Sequence, residues 1–192
     1  MKYQVLTAPH PNLRKIAKPV NKVDKKLLQN QELLIEALKD EQDPIGVGMA
    51  FTQINKLIRG FAFRTDTDNE LKLDENMIVI FNPELIAHSS KLTLGQNEQD
   101  PDIEGCLSVP TVFGPVLRWP WVELKYQLIE NNKLVTYQKK FQDYEARIMQ
   151  HELDHLNGIL FTDHLLEQRQ PVYLQKDGEL VQVEDTNFLK VY

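Results

Sequence analysis

His151-Glu152-Leu153-Asp154-His155 is the stretch of this sequence best equipped for chemistry. On a helix, residues four apart share a face, so both imidazoles reach toward one point where a single divalent ion can sit. Glu152 lies beside that point and can exchange a proton with a water there without ligating the ion. The apolar neighbours Leu153 and Leu156, and the helix-ending Asn157-Gly158, point to a packed helix rather than a solvated one. Buried imidazoles and carboxylates are costly unless a metal or hydrogen-bond partners satisfy them. Asp154 points away from the side shared by the two histidines and reads as structural or surface.

A catalytic ion needs a third protein ligand and one open position. In one group of zinc proteases a histidine follows the motif's glycine. Gly158 matches that glycine, but the ligand position holds Phe161. Spacing leaves Glu167, Glu179, Glu184 and Cys106 open. Cys106 is set in Glu104-Gly105-Cys106-Leu107-Ser108-Val109-Pro110. A lone cysteine is commonly a small core residue. Here Gly105 permits close backbone approach and Pro110 should stop ladder pairing soon after, which suits a strand end presenting a thiolate. Glu104 and Arg118 are candidates for an ion pair that holds this segment.

The rest of the chain must position these groups. It has 192 residues, 42% of them hydrophobic, with one cysteine and 22 basic against 28 acidic residues, a net charge of −6. That suffices for a core and sets disorder aside. A single cysteine forbids an internal disulfide, which suits a reducing compartment. No apolar run reaches the roughly 18 residues of a membrane span, and the N-terminus lacks a signal-peptide pattern. The acidic balance argues against direct nucleic-acid binding. A cytoplasmic protein, monomeric by default, is expected, with one catalytic domain over residues 1–192 and a C-terminal extension over 165–192.

Asp24 should cap a helix running to about Lys39, with Asp43-Pro44 ending it. Strands are expected at 57–63 and at 77–81, stopped by Asn82-Pro83, with a weaker one at 85–94. Between the first two, the polar stretch from Thr65 to Asn76 reads as a surface loop. Residues 122–128 alternate with period two, 130–133 form a turn, and 134–141 return. Asp143 can cap the helix that carries the histidines to Leu156. Residues 172–174 and 179–183 suggest a C-terminal hairpin around Lys176-Asp177-Gly178. This order predicts an α+β fold, with antiparallel or mixed sheets packed around a central metal-binding helix.

Taken together, Glu104-Gly105-Cys106-Leu107-Ser108 and Gln150-His151-Glu152-Leu153-Asp154-His155 resemble the motifs of the peptide deformylases. Gly46-Val47-Gly48-Met49-Ala50-Phe51-Thr52-Gln53 resembles the family's third motif, and all three stand in the family's order. The resemblance implies removal of the N-formyl group from the initiator methionine of nascent polypeptides. It implies Cys106, His151 and His155 as ligands of one divalent ion, usually Fe²⁺, with Zn²⁺, Ni²⁺ or Co²⁺ able to replace it. It makes Glu152 the general base and then acid, and the Gln53 amide and Leu107 backbone N–H the oxyanion donors. Gly46, Val47, Gly48 and Gly105 would line a groove for an extended formylmethionyl peptide, with Ile148 as a wall of the methionine pocket or ordinary core. A transient ribosome contact would serve that task.

Departures from the family pattern are Met49, Phe51, the aromatic Phe113, Trp119 and Trp121, and a long 64–76 loop. Two rival readings are a zinc protease with a late glutamate ligand and an inactive, ribosome-associated metal-binding relative. The first leaves Cys106 and Gln53 unexplained, and the second has no use for Glu152.

Overall fold

The computed structural model describes residues 3–42, 45–65, 76–97 and 99–191. Its first helix, α1 (Lys25–Asp40), begins where Asp24 accepts a 2.9 Å hydrogen bond from the Leu27 N–H, the side-chain cap the sequence predicts. Leu27, Leu34 and Leu38 form its buried stripe. The Asp43-Pro44 stop and most of the 64–76 loop lie outside the described residues.

One sheet holds β1 (Gly48–Ala50), β2 (Gly60–Arg64), β3 (Met77–His88), β6 (Trp121–Glu130) and β7 (Lys133–Gln142), in the order β1-β2-β3-β6-β7. The second sheet contains β4 (Ile103–Cys106), β5 (Val109–Pro115), β8 (Val172–Lys176) and β9 (Glu179–Val183), in that order. Every neighbouring pair is antiparallel. The helix α2 (Asp143–Leu156) carries the histidines, and α3 (Phe161–Gln168) follows it.

The first sheet is covered on both faces, and its side-chain alternation shows how. Phe61 and Phe63 of β2 pack with Ile148, Met149 and Leu156 of α2, while Ala62 between them packs with Leu34 and Leu38 of α1. A third apolar cluster joins Val109 and Val112 of β5 to Phe161 and Leu165 of α3 and Val172 of β8. The α+β fold with antiparallel sheets around the histidine helix is therefore as the sequence predicts.

Four local expectations need correction. Asn82-Pro83 does not stop a strand. β3 runs through it as a bulge, with Asn82 at φ 48° and the register shifting between Phe81 and Glu84. The shift is stabilised by the Asn82 side chain, which accepts from the Val20 N–H (2.7 Å) and donates to Val20 O (2.6 Å) and Gln127 Oε1 (2.7 Å). No separate strand therefore forms at 85–94. Pro110 does not end pairing either: β5 runs from Val109 through it, and proline needs only to sit where no ladder N–H is required. The strand expected from residue 57 begins at Gly60, because residues 57–59 bond instead to Lys18 of the N-terminal arm. Gln142, not Asp143, occupies the cap position of α2.

The C-terminal hairpin is present, but it is not a free appendage. β8 pairs with β5 through Val112–Leu174 and Phe113–Tyr173, extending the second sheet. Among the described residues, no helix is long and apolar enough to cross a membrane.

Asn82→Ala removes the bonds that fasten the N-terminal arm to β3 and β6, and it places a Cβ-bearing residue with no side-chain tether at positive φ. The expected cost is about 1–3 kcal/mol of unfolding free energy. It should appear as a lower urea midpoint with an unchanged denaturant slope.

Candidate metal centre and cleft

Cys106 is the last residue of β4, and His151 and His155 lie one turn apart on α2. One ligand atom from each of the three falls within 4.8 Å of the other two. Cys106 Sγ is 3.2 Å from His155 Nε2. Burial alone would raise the thiol's pKa, but His155 and His151 beside it bring it down to about 5, so the thiolate that a metal requires is the favoured form. Among the described residues this is the group able to hold a metal ion. Glu167, Glu179 and Glu184 are not part of it, which removes the basis of the zinc-protease reading.

Behind His151 stands a buried carboxylate. Glu104 Oε2 is 3.1 Å from His151 Nδ1, and with Nδ1–H donating to it the Nε2 lone pair is left for an ion. Arg118 donates to both Glu104 oxygens, Nε at 3.0 Å and Nη2 at 2.9 Å. Arg147 Nη1 adds a third bond at 2.8 Å. Burial would push the Glu104 carboxyl up, yet Arg118 and His151 hold it well below the usual carboxylate range. The predicted Glu104–Arg118 pair is thus present, as the centre of a larger network. Asp154 also joins it, accepting from Arg118 (2.6 Å) and His164 (2.9 Å). It is structural rather than surface-exposed.

Glu152 is buried at 3% exposure, and its Oε2 has no hydrogen-bond partner among the described residues. Burial lifts its carboxyl up to about 7, against the pull of His155 and His151. A buried carboxylate with an unpartnered oxygen beside three potential ligands fits a site whose remaining partners are an ion and a water. A Cβ built on Gly48 would stand 2.5 Å from Glu152 Oε1, so this glycine leaves the room that the carboxylate occupies.

A cleft of about 450 Å³ opens in front of these groups. Tyr144, Arg147, Ile148, His151 and Glu152 line it from α2, at the i, i+3, i+4, i+7, i+8 spacing of one helical face. Ile45, Gly46, Val47 and Gly48 form one side, and Ile103, Gly105, Cys106 and Leu107 the other. Both sides end in sheet edges, since β1 and β4 are the terminal strands of their sheets. The Gly46 turn is held by Arg64, a nearly inaccessible guanidinium that donates to Gly46 O (2.7 Å) and Leu38 O (3.0 Å). Gln53 sits at the end of the cleft, its Oε1 accepting from the Ala50 N–H (2.8 Å). Its Nε2 donates to Ser108 Oγ (3.2 Å) and lies 3.7 Å from Cys106 Sγ.

The sequence matches the family model described as polypeptide deformylase over residues 2–171. The chain belongs to the polypeptide deformylase family.

A peptide deformylase of Desulfotalea psychrophila is 32% identical over 174 residues, spanning 90% of this chain and 93% of its own. One of Wolinella succinogenes is 34% identical over 162 residues, spanning 84% and 86%. Among solved structures, the peptide deformylase of Thermotoga maritima superposes with a TM-score of 0.69 at 30% identity, over 85% of this chain and 97% of that one. The Met-Ala-Ser-bound class I type b peptide deformylase of Acinetobacter baumannii gives 0.71 at 32% identity, over 85% and 98%. The enzyme is accordingly a hydrolase that removes the N-formyl group of nascent peptides, and the family's metal dependence is matched by the Cys106, His151, His155 group.

The departures from the family pattern fall mostly outside the cleft. Met49 and Phe51 are fully buried, and Phe51 stacks on Phe81 in the α1 core, so it does not narrow the site. Trp119 stacks on His88, and Trp121 lies beneath Lys140; of the three aromatic residues only Phe113 reaches the cleft. Ile148 is both core and cleft wall. The sequence reading missed Arg147 as a tie to Glu104, although its place four residues before His151 was a usable signal. Tyr144 offered the same signal one turn earlier. The bonds of Arg64 to the Gly46 and Leu38 carbonyls carried none, because backbone acceptors leave no mark in the sequence.

Glu104→Gln keeps the shape of the side chain and removes its charge. Metal affinity, read by chelator competition, should fall about ten- to a hundredfold. The thermal midpoint should drop as well, because Arg118 and Arg147 are left short of a buried partner.

Proposed function

We propose that Cys106, His151 and His155 hold one divalent ion in this enzyme and that the cleft receives an extended N-formylmethionyl peptide between the edges of β1 and β4. The observation that carries this reading is the position of the Cys–His–His group at a cleft flanked by β1 and β4, which are, among the described residues, the terminal strands of their sheets. Backbone on both sides can pair with a substrate's main chain whatever its side chains, which suits an enzyme that must accept many nascent sequences. The methionine side chain would lie against Ile148, with the exposed Ile45 and Ile103 at the rim.

The ion, when bound, acidifies a water and polarises the formyl carbonyl. Glu152 accepts the proton of the attacking water and later delivers it to the departing amine. The water oxygen ends in formate as the carbon–nitrogen bond breaks. Burial serves both roles of Glu152, because a carboxyl raised to about 7 accepts a proton more readily than an exposed one and is populated in both forms near neutral pH. Gln53 Nε2 and the Leu107 N–H donate to the oxygen that gains charge as the formyl carbon becomes tetrahedral. Gln53 is preorganised for this by the Ala50 N–H on its own carbonyl, which fixes which way the amide faces. Gly46, Val47, Gly48 and Gly105 supply backbone rather than side chains. We further propose Fe²⁺ as the resident ion, the thiolate and two imidazoles being suited to it and to Zn²⁺.

Formate release from formyl-Met-Ala-Ser by anaerobically purified protein tests the assignment. Wild type should release formate. Glu152→Ala should release almost none while still binding one metal per chain, and Gln53→Ala should lose about 10²–10³-fold in kcat. A metal-loaded wild type that leaves the peptide intact would overturn the reading. Exposure to air should abolish activity of the iron form through oxidation of the metal or of Cys106. Equal activity in air with iron still bound would remove iron from the proposal.

A further inference from the structure

The family match ends at residue 171, and the two solved relatives described above, each almost fully covered, account for 85% of this chain. The hairpin β8–β9 lies beyond that match, yet it is built into the sheet that carries Cys106. Along β8, Val172 and Leu174 turn into the apolar cluster of α3 and β5, so Tyr173 and Gln175 face the other way. The β5–β8 pairing sets Val112 against Leu174 and Phe113 against Tyr173, and Gln175 follows the last paired residue of β8 as Thr111 precedes that of β5. Thr111, Phe113 and Gln175 all line the cleft. Gln175 is thus the one contribution of the hairpin to the wall of the site, and its side chain is exposed.

We propose that Gln175 is a specificity-determining residue. Its amide hydrogen-bonds the main chain of the substrate beyond the residues nearest the formyl group, making the enzyme prefer longer peptides. The proposal rests on the cleft reading above, which seats the formyl group at the Cys106 end. Three features support a main-chain contact of this kind. Gln175 stands two strands from β4, across the sheet face shared by Gly105 and Phe113, so a peptide seated between β1 and β4 must extend over that face before it reaches the amide. A carboxamide both donates and accepts, so it can pair with a peptide unit in either orientation. An uncharged amide also discriminates little among the side chains of nascent proteins, as such a substrate requires. The hairpin's fixing is firm where it matters, because Val172 is buried in the cluster while β9 stays exposed.

The test compares kcat/KM for formyl-Met-Ala, formyl-Met-Ala-Ser and the corresponding formyl tetra- and pentapeptides, using the full-length, metal-loaded enzyme. Wild type should gain with length. Gln175→Ala should leave formyl-Met-Ala unchanged and lose about three- to tenfold on the longest peptides, the span of one neutral hydrogen bond, with the loss in KM rather than kcat. Gln182→Ala, on the outer strand β9, should follow wild type throughout and so separates this contact from a general disturbance of the hairpin. Parallel profiles for Gln175→Ala and wild type, or an equal loss at every length, would overturn the contact alone. Failure of the wild type to turn over any formyl peptide would overturn the cleft reading and this contact with it.

Discussion

The carboxylate of Glu104 is the constraint on which the site depends. It sits at the junction of three pieces of chain: β4, which ends in Cys106; the segment after β5, which carries Arg118; and α2, which carries Arg147 and His151. A charge this deeply buried would destabilise the fold if it were unpaired, and an isolated buried ion pair offers little net stability. Here four hydrogen bonds converge on two oxygens, two of them from one guanidinium in fork geometry, which orients as well as neutralises. The consequence is positional. The strand bearing the thiolate cannot shift along the helix bearing the imidazoles without breaking several charge-assisted bonds at once. Asp154 and His164 continue the network on the far side of Arg118, so the guanidinium is itself gripped from two directions.

That network also explains how two sheets with separate apolar clusters yield one site. The first sheet, sandwiched by α1 and α2, supplies the β1 edge and, in the 3-10 turn directly after it, Gln53, while the second supplies Cys106 and the β4 edge. Neither contains the whole constellation. Helix α2 packs its apolar residues on the first sheet and extends its polar stripe toward the second. The i, i+3, i+4 spacing lets one helix serve as core on one flank and as cleft floor on the other. Ile148, at the boundary between those flanks, belongs to both.

The legible part of this arrangement was whatever repeats locally. The histidine helix, the Asp24 cap, the alternation along β6 and β7 and the C-terminal hairpin all follow from periods and caps that short stretches of sequence display. The proposed ligand set came from the family resemblance, since nothing in local patterning brings Cys106 to a helix that begins 37 residues later. What escaped has a common physical origin. Asn82-Pro83 reads as a stop because the bulge it forms is stabilised by Val20 and Gln127, 62 and 45 residues away. β5 tolerates Pro110 because its pairing with β4 skips from Val109 to Phe113, leaving Pro110 in the irregular stretch between them. Helix α3 is short, and Leu160 ahead of it offers no side-chain hydrogen bond as a cap. Arg64 is a buried cation that donates to the Gly46 and Leu38 carbonyls, and no sequence pattern marks a carbonyl as an arginine's partner.

The glycines of the cleft complete the physical picture, and two of them act by what they leave out. At Gly48 an added Cβ would meet the Glu152 carboxylate, and at Gly105 it would meet the Phe113 ring at 2.5 Å. The first keeps the proposed base free beside the ligands. The second lets Phe113 lie against the β4 backbone. Both also leave main chain, rather than side chain, facing the space between the sheet edges. A site walled in this way gains little discrimination among the residues that follow the first one. In the proposed reading, selectivity among acyl groups is set where the Cys106 segment, Gln53 and α2 converge, and the acyl group with the smallest substituent would fit there with fewest contacts displaced. On that reading, breadth toward the peptide and narrowness toward the acyl group would have the same source, a groove of backbone ending against a tightly bonded network.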